Sequence, residues 1–202
     1  MEQPIKVLLL DIGGVLLTDG WETSSREKAA VHFNIDAVEL NQRHRNVFDA
    51  YESGRMTLDD YLRLVVFYEE RSFTPDEFKA FMMDQSQPLQ QTIDFMLDFK
   101  AKYKLPIVAV NNEPKELNEH RINKCGLKTI IDFFVSSCYV HMRKPDPRMY
   151  HLALNLAQVK PHEALYLDDR KVYTELASGL GIKAIQHTSL SNTIQQLKTY
   201  GF

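Results

Sequence analysis

A chain of 202 residues, 44% hydrophobic and 25% charged, has the composition of a folded globular protein and the length of one sizeable domain, or of a core with a smaller insertion. A formal net charge of −3 leaves no basic footprint for nucleic acid or for an anionic membrane surface. Two cysteines, Cys125 and Cys138, are too few for a disulfide framework or a thiolate metal cluster; they read as small apolar packing residues in a reducing, cytoplasmic setting. No apolar run reaches the ~20 residues of a membrane helix. The first strand starts too close to Met1 to leave room for a signal peptide.

The unbroken apolar run Val7 to Leu10 predicts a strand buried on both faces, as in a parallel sheet. It ends in Asp11-Ile12-Gly13-Gly14-Val15. Beyond Leu17 no strand-like run occurs for some 70 residues, a stretch rich in Glu, Arg, Phe, Tyr and Met. Four helices are predicted there. The first covers Glu27 to Phe33; the second carries Val38, Leu40, Val47, Phe48 and Tyr51 and stops at Gly54. The third starts at an approximate capping box, Thr57-Leu58-Asp59-Asp60, with Asp in place of the usual Glu or Gln. The fourth starts at Thr74-Pro75-Asp76-Glu77, with a cap residue, a first-turn proline and two acids at the positive helix end.

After Pro88 the pattern changes to alternating helix and strand. Leu89 to Tyr103 predicts a helix, and Leu105 to Val110 a strand ending in Asn111-Asn112-Glu113-Pro114. A helix over Lys115 to Lys124 stops near Gly126, and a short strand lies within Ile130 to Ser136. Pro145-Asp146-Pro147 opens a helix whose Met149, Leu152, Ala153 and Leu156 recur at i, i+3, i+4 and i+7. Ala164 to Leu167 is a strand ending in Asp168-Asp169. A helix to Leu180, a strand Ile182 to Ile185 and a helix Leu190 to Thr199 complete the chain. This alternation predicts an α/β fold: a Rossmann-like parallel core with helices on both faces, plus an inserted four-helix cap. The expected division is core at 1–17 and 87–202, cap at 18–86.

Ligands of open α/β sheets bind outside the carboxyl ends of the strands. Three of those ends carry polar groups: Asp11, Asn111-Asn112 and Asp168-Asp169. A fourth element, Met142-Arg143-Lys144-Pro145, precedes a helix that returns to the sheet. Carboxylates with a backbone carbonyl suit Mg²⁺, Lys144 and the amides suit phosphate, and Asp11 is placed to act as a nucleophile. Plainer roles are open to each: Asp11 and Asp168-Asp169 as turn or helix caps, Lys144 as a surface ion-pair partner, Trp21 as cap core, Arg143 as a positioning residue and His141 as structural or solvent-facing.

In order and spacing, these elements resemble the four motifs of the haloacid dehalogenase superfamily: Asp11 to Val15 the first, Asn111-Asn112 the second, Lys144 in Arg143-Lys144-Pro145-Asp146-Pro147 the third, and Leu167-Asp168-Asp169 the fourth. Tyr51-Glu52-Ser53-Gly54-Arg55-Met56-Thr57 is similar to a cap segment of the branch that holds sugar-phosphate phosphatases and the phosphatase domain of soluble epoxide hydrolases. The resemblance implies Asp11 as nucleophile and metal ligand, the Gly13 carbonyl as a second ligand, Asp169 as a Mg²⁺ ligand with Asp168 beside it, Lys144 as the neutralising and catalytic cation, and Asn111 and Asn112 as hydrogen-bond donors to phosphate. It also exposes departures. Gly13 stands where most phosphatases of the family carry an acid/base Asp, Asn111 replaces Ser or Thr, and Glu113 adds negative charge near an anion site.

The leading expectation is a Mg²⁺-dependent phosphatase of a small phosphorylated metabolite, acting through an aspartyl phosphate on Asp11, without nucleic-acid or membrane partners. The alternatives are a 2-haloacid dehalogenase, which needs no metal and no second Asp, and a catalytically degenerate binding protein. The Asp168-Asp169 doublet beside Asp11 disfavours the dehalogenase, since clustered acids need a cation.

Overall fold

The computed structural model describes residues 4–202. Its five strands are β1 (Val7–Leu10), β2 (Ile107–Asn111), β3 (Phe133–Ser136), β4 (Ala164–Asp168) and β5 (Lys183–Gln186). They form one parallel sheet in the order β3-β2-β1-β4-β5. The strand predicted first is therefore the central one, and Leu8, Leu9 and Leu10 are fully buried. Chain order reverses at β1, between β2 and β4, which makes that carboxyl edge the switch point of a Rossmann-like sheet.

Side-chain alternation sorts the sheet into two faces. Leu8, Leu10, Ile107, Ala109, Leu165 and Leu167 enter one core cluster, and Val7, Leu9, Val108, Val110, Ala164 and Tyr166 the other. The same parity places Asp11 and Asp168 on the second face and Asn111 on the first.

Between β1 and β2 lie α1 (Thr23–Phe33), α2 (Ala37–Glu52), α3 (Leu58–Val65), α4 (Pro75–Asp84) and α5 (Gln90–Tyr103). The first four are the predicted insert, with an aromatic-rich cluster of their own that includes Trp21, Tyr51, Tyr61 and Phe78. The second half adds α6 (Lys115–Lys124), a four-residue α7 (Ser137–Val140), α8 (Pro147–Ala157), α9 (Lys171–Gly179) and α10 (Leu190–Thr199). Helices α5 and α10 pack on the Leu8 face, α8 and α9 on the Val7 face. No helix among the described residues is long and apolar enough to cross a membrane. Neither cysteine is in a disulfide, and Cys138 is buried.

Local chemistry explains most boundaries. At α4, Thr74 and Glu77 form the full reciprocal box: Glu77 N–H donates to Thr74 Oγ1 at 3.3 Å and Thr74 N–H to Glu77 Oε2 at 2.7 Å. At α3, Thr57 accepts from Asp60 N–H at 3.1 Å, while the shorter Asp60 reaches only the Thr57 hydroxyl. Helix α1 starts at Thr23, earlier than its apolar pattern. Buried Arg26 holds that turn by donating to Trp21 O at 2.6 Å and to Asn41 Oδ1 at 2.8 Å, a tertiary contact with no periodic signature.

The insert is seated on the core through the end of α2. Ser137 Oγ donates to Glu52 O at 2.6 Å, His141 Nδ1 lies 2.8 Å from Ser53 O, and the α3 N–H of Leu58 donates to Glu116 Oε1 at 2.9 Å. Gly54, at φ +69°, closes α2 so tightly against α7 that a Cβ there would lie 2.1 Å from Cys138 O. Gly54→Ala adds the left-handed penalty of ~1–2 kcal/mol to that collision, so we expect a loss of at least about 1–2 kcal/mol in urea unfolding. An unchanged midpoint would show that the contact between insert and core yields freely.

Candidate active site

The β1–β4 register sets Leu10 opposite Leu167, and Asp11 N–H extends the ladder to Leu167 O at 2.9 Å. Asp11 and Asp168 thus end adjacent strands at the same level and on the same face. Lys144 arrives from the segment before α8, which packs on that face. Its ammonium is 2.9 Å from Asp11 Oδ1 and 2.7 Å from Asp168 Oδ2, with 1% of the side chain exposed. Burial works against the charge on Lys144, but Asp11 and Asp168 outweigh it and hold its pKa above the ordinary value. Lys144 is no surface partner.

The acids divide by what satisfies them. Asp168 accepts from Lys144, from the Tyr166 hydroxyl and, through Oδ1, from Arg170 N–H at 2.8 Å. Asp169 lies within the same 4.8 Å cluster of carboxylate oxygens as Asp11 and Asp168, and its buried Oδ1 has no hydrogen-bond partner among the described residues. Burial, then the charges of Asp11 and Asp168, push Asp169 up to about 7. Burial likewise raises Asp11 to about 6 against the pull of Lys144. A cluster of three carboxylates with one ammonium and an orphaned oxygen fits a hard divalent cation. Gly14, at φ +66°, makes room for the Asp169 carboxylate: a Cβ there would meet Asp169 Cγ at 2.5 Å.

At the end of β2 the two amides face opposite ways, as strand parity requires. Asn111 donates to Asn118 Oδ1 at 3.0 Å and accepts from Ser136 Oγ at 2.8 Å. Asn112 clasps the Lys144 main chain, donating to its carbonyl at 2.9 Å and accepting its N–H at 2.8 Å. Both residues line the cavity above Asp11, and both amide side chains hold protein partners.

Glu113 is not loose negative charge. It is buried against Arg121, which also donates through Nη2 to Thr18 O at 2.8 Å. Burial nonetheless raises Glu113 to about 7.

The cavity, about 110 Å³, lies between these strand ends and the insert. Gly13, Asp19, Trp21, His44, Glu52, Arg143 and Arg170 also border it. Arg143, paired with Glu52 at 2.5 Å, ties the Lys144 segment to α2. Trp21 is both core and lining: Trp21 Nε1–H donates to Tyr61 OH at 2.8 Å, and the Tyr61 hydroxyl lies 2.8 Å from His44 Nδ1. Asp19, Arg121, His44 and Tyr61 carried no sequence signal as site residues, and Tyr166 was not singled out. Only Tyr166 was accessible to pattern reading, being two positions before Asp168 on one strand face.

A family model described as haloacid dehalogenase-like hydrolase matches residues 5–172, and the chain belongs to that family. The bifunctional epoxide hydrolase 2 of Sus scrofa is 32% identical over 74 residues, which are 37% of this chain and only 13% of that protein's length. The phosphorylated carbohydrates phosphatase of Thermotoga maritima is 23% identical over 181 residues, 77% of this chain and 83% of that one. A haloacid dehalogenase family enzyme of Bacteroides thetaiotaomicron, solved in complex with magnesium and inorganic phosphate, superposes with a TM-score of 0.77 at 19% identity, covering 94% and 98% of the two chains. At that identity the likeness is one of fold.

His44 gives the site wall a measurable pH dependence. Burial first, then Arg26, Arg45 and Arg143, lower its pKa from 6.5 to about 3. It is therefore neutral in the folded protein, with Nδ1 in hydrogen-bond contact with the Tyr61 hydroxyl. Between those two values the unfolded chain binds a proton that the folded one does not. Stability from this group is full above pH 6.5 and is lost as pH falls toward 3, at up to about 1.4 kcal/mol per pH unit. Urea unfolding between pH 4 and 7 should show a flatter slope in His44→Gln than in the parent protein. Equal slopes would mean that His44 takes up its proton without unfolding.

Proposed function

We propose that the protein is a Mg²⁺-dependent phosphatase of a small phosphorylated metabolite, working in the cytoplasm through an aspartyl phosphate on Asp11. The observation that carries this reading is the cluster of Asp11, Asp168 and half-buried Asp169, with Lys144 paired to the first two and Asp169 Oδ1 without a hydrogen-bond partner among the described residues. Asp11, Asp169 and the Gly13 carbonyl would hold the cation, with Asp168 behind them. The cation would neutralise phosphate charge and so let an anionic nucleophile approach an anionic ester. The phosphatase name of the Thermotoga relative and the magnesium and phosphate of the Bacteroides structure support the same reading.

The chain's own residues would act as follows. Asp11 attacks phosphorus in line, the bond to the ester oxygen breaks, and water then cleaves the aspartyl phosphate to restore the carboxylate. Lys144 stays protonated throughout, held so by two carboxylates, and stabilises the charge gathering on the transferring group. Asn112 fixes Lys144 by its main chain, which makes it a positioning residue. Asn111 would hold the end of β2 in place through Ser136 and Asn118. The insert, taken as a cap over 18–86, closes a small polar cavity that suits a compact, hydroxyl-bearing leaving group. Metal-free dehalogenation would leave Asp169 without compensation for its charge.

Phosphate release from a panel of small phosphate esters, with Mg²⁺ and with chelator, tests this. We expect metal-dependent turnover that drops on the order of 10³-fold or more in Asp11→Asn, as loss of a nucleophile does elsewhere. Halide release from 2-haloacids that persists in chelator would overturn the reading, as would Mg²⁺ binding with no turnover of any ester.

A further inference from the structure

Breaking the ester bond leaves an alkoxide, which departs slowly unless it is protonated. Gly13 has no side chain to do this. Five acids border the cavity: Asp11, Asp19, Glu22, Glu52 and Glu113. Four are engaged. Asp11 faces Lys144, Glu22 accepts from the Ser24 hydroxyl at 2.7 Å, Glu52 pairs with Arg143, and Glu113 pairs with Arg121. Among the described residues Asp19 has no hydrogen-bond or ion-pair partner.

Its position is specific. A Cβ built on Gly13 would lie 3.1 Å from Asp19 Oδ1, so this oxygen borders the space that a side chain at residue 13 would enter. The segment that carries it is fixed from both sides. Arg121 Nη2 donates to Thr18 O at 2.8 Å, and Gly20 admits the same guanidinium, since a Cβ there would meet Nη1 at 2.9 Å. On the other side Thr18 Oγ1 donates to Gln85 O at 2.8 Å and accepts from Gln87 N–H at 3.0 Å. Asp19 also borders a second polar cleft, of about 420 Å³, that is lined by Gly14, Ser24 and Lys28.

We propose that Asp19, held by the Glu113–Arg121 pair, is the proton donor to the departing oxygen, filling from eight residues downstream of Asp11 the role that Gly13 cannot. This rests on the aspartyl-phosphate reading. As Asp11 bonds to phosphorus and the P–O ester bond breaks, the Asp19 carboxyl gives its proton to the ester oxygen, which leaves as an alcohol. The Asp19 carboxylate then takes a proton from the water that attacks phosphorus, the P–O bond to Asp11 breaks, and both acids return to their starting states. The sum is ester plus water to alcohol plus phosphate. Asp19 is a catalytic residue in this scheme; Arg121 and Glu113 are positioning residues.

The test compares the parent protein with Asp19→Asn in Mg²⁺, using β-glycerophosphate and p-nitrophenyl phosphate. Alkyl ester turnover should fall ~10²–10⁴-fold. With p-nitrophenyl phosphate, whose phenolate leaves unaided, the variant should give a burst of about one product per site and then slow turnover, because only hydrolysis of the aspartyl phosphate still needs Asp19. A merely structural role would depress burst and turnover together and would overturn the proposal, as would alkyl turnover within about threefold of the parent. Should Asp19→Asn fold poorly, the pair Asp19→Ala and Asp19→Ala/Gly13→Asp decides. Returning a carboxylate at residue 13 should recover at least about tenfold in alkyl turnover, and no recovery would overturn the proposal. A parent protein that releases nothing from either ester defeats the phosphatase reading itself and the Asp19 role with it; an active parent with an indifferent variant defeats only the latter.

Discussion

The buried ammonium of Lys144 is the constraint on which the site depends. An isolated charge with 1% of its side chain exposed would be intolerable; between Asp11 and Asp168 it is held in its charged form. Each partner is in turn fixed by the sheet. Parallel pairing puts Asp11 and Asp168 on neighbouring strand ends, two-residue alternation turns both to the α8 face, and the same alternation turns Asn112 to grip the Lys144 main chain. Tyr166, two positions before Asp168, adds a hydroxyl to the carboxylate. The consequence is asymmetry among three clustered acids. The protein supplies partners to two of them, whereas among the described residues Asp169 Oδ1 has no hydrogen-bond partner, and the proposed cation site rests on that difference.

A second buried pair, Glu113 with Arg121, does for geometry what Lys144 does for charge. Removing one partner of such a pair typically costs ~3–5 kcal/mol, because the other is stranded in a dry interior. The guanidinium is shared with the Thr18 carbonyl, so the end of β2, helix α6 and the segment leaving β1 are locked together at one point. The segment leaving β1 and the one returning to α5 run side by side, with Thr18 N–H donating to Gln87 O at 2.9 Å and Leu89 N–H to Leu16 O at 2.9 Å. The helical insert therefore hangs from two adjacent chain segments a few residues from Asp11, and its outgoing segment brings Asp19 and Trp21 to the cavity.

The fold was legible because its signals are local. Val7 to Leu10 and Ala164 to Leu167 are short apolar runs bounded by turns, Ile182 to Ile185 is a mainly apolar stretch, and the observed strands fall within a residue or two of them. Thr57, Thr74 and Gly54 announce helix ends through chemistry that acts over a few residues. Strand-end acids were legible for the same reason: once a run is a buried parallel strand, its carboxyl end is a place where ligands bind. The start of α1 was not, because Arg26 sets it by reaching Trp21 and Asn41.

Side-chain partnership is where local reading stops. Glu113 reads as unwanted negative charge until Arg121 is seen beside it, and Asn111 and Asn112 read as two equivalent donors until strand parity sends one to Asn118 and the other to Lys144. Arg121 and Thr18 are 103 positions apart. Nothing in the composition of either neighbourhood foretells their meeting, because the contact is a product of topology: β1 and β2 are adjacent only after the insert has been looped out between them. A glycine at residue 13 looks like a loss when the first motif is read alone. In three dimensions its missing side chain is part of the space that Asp19 borders, so the residue types demanded by the chemistry need to converge in the cavity and need not be neighbours in the motif.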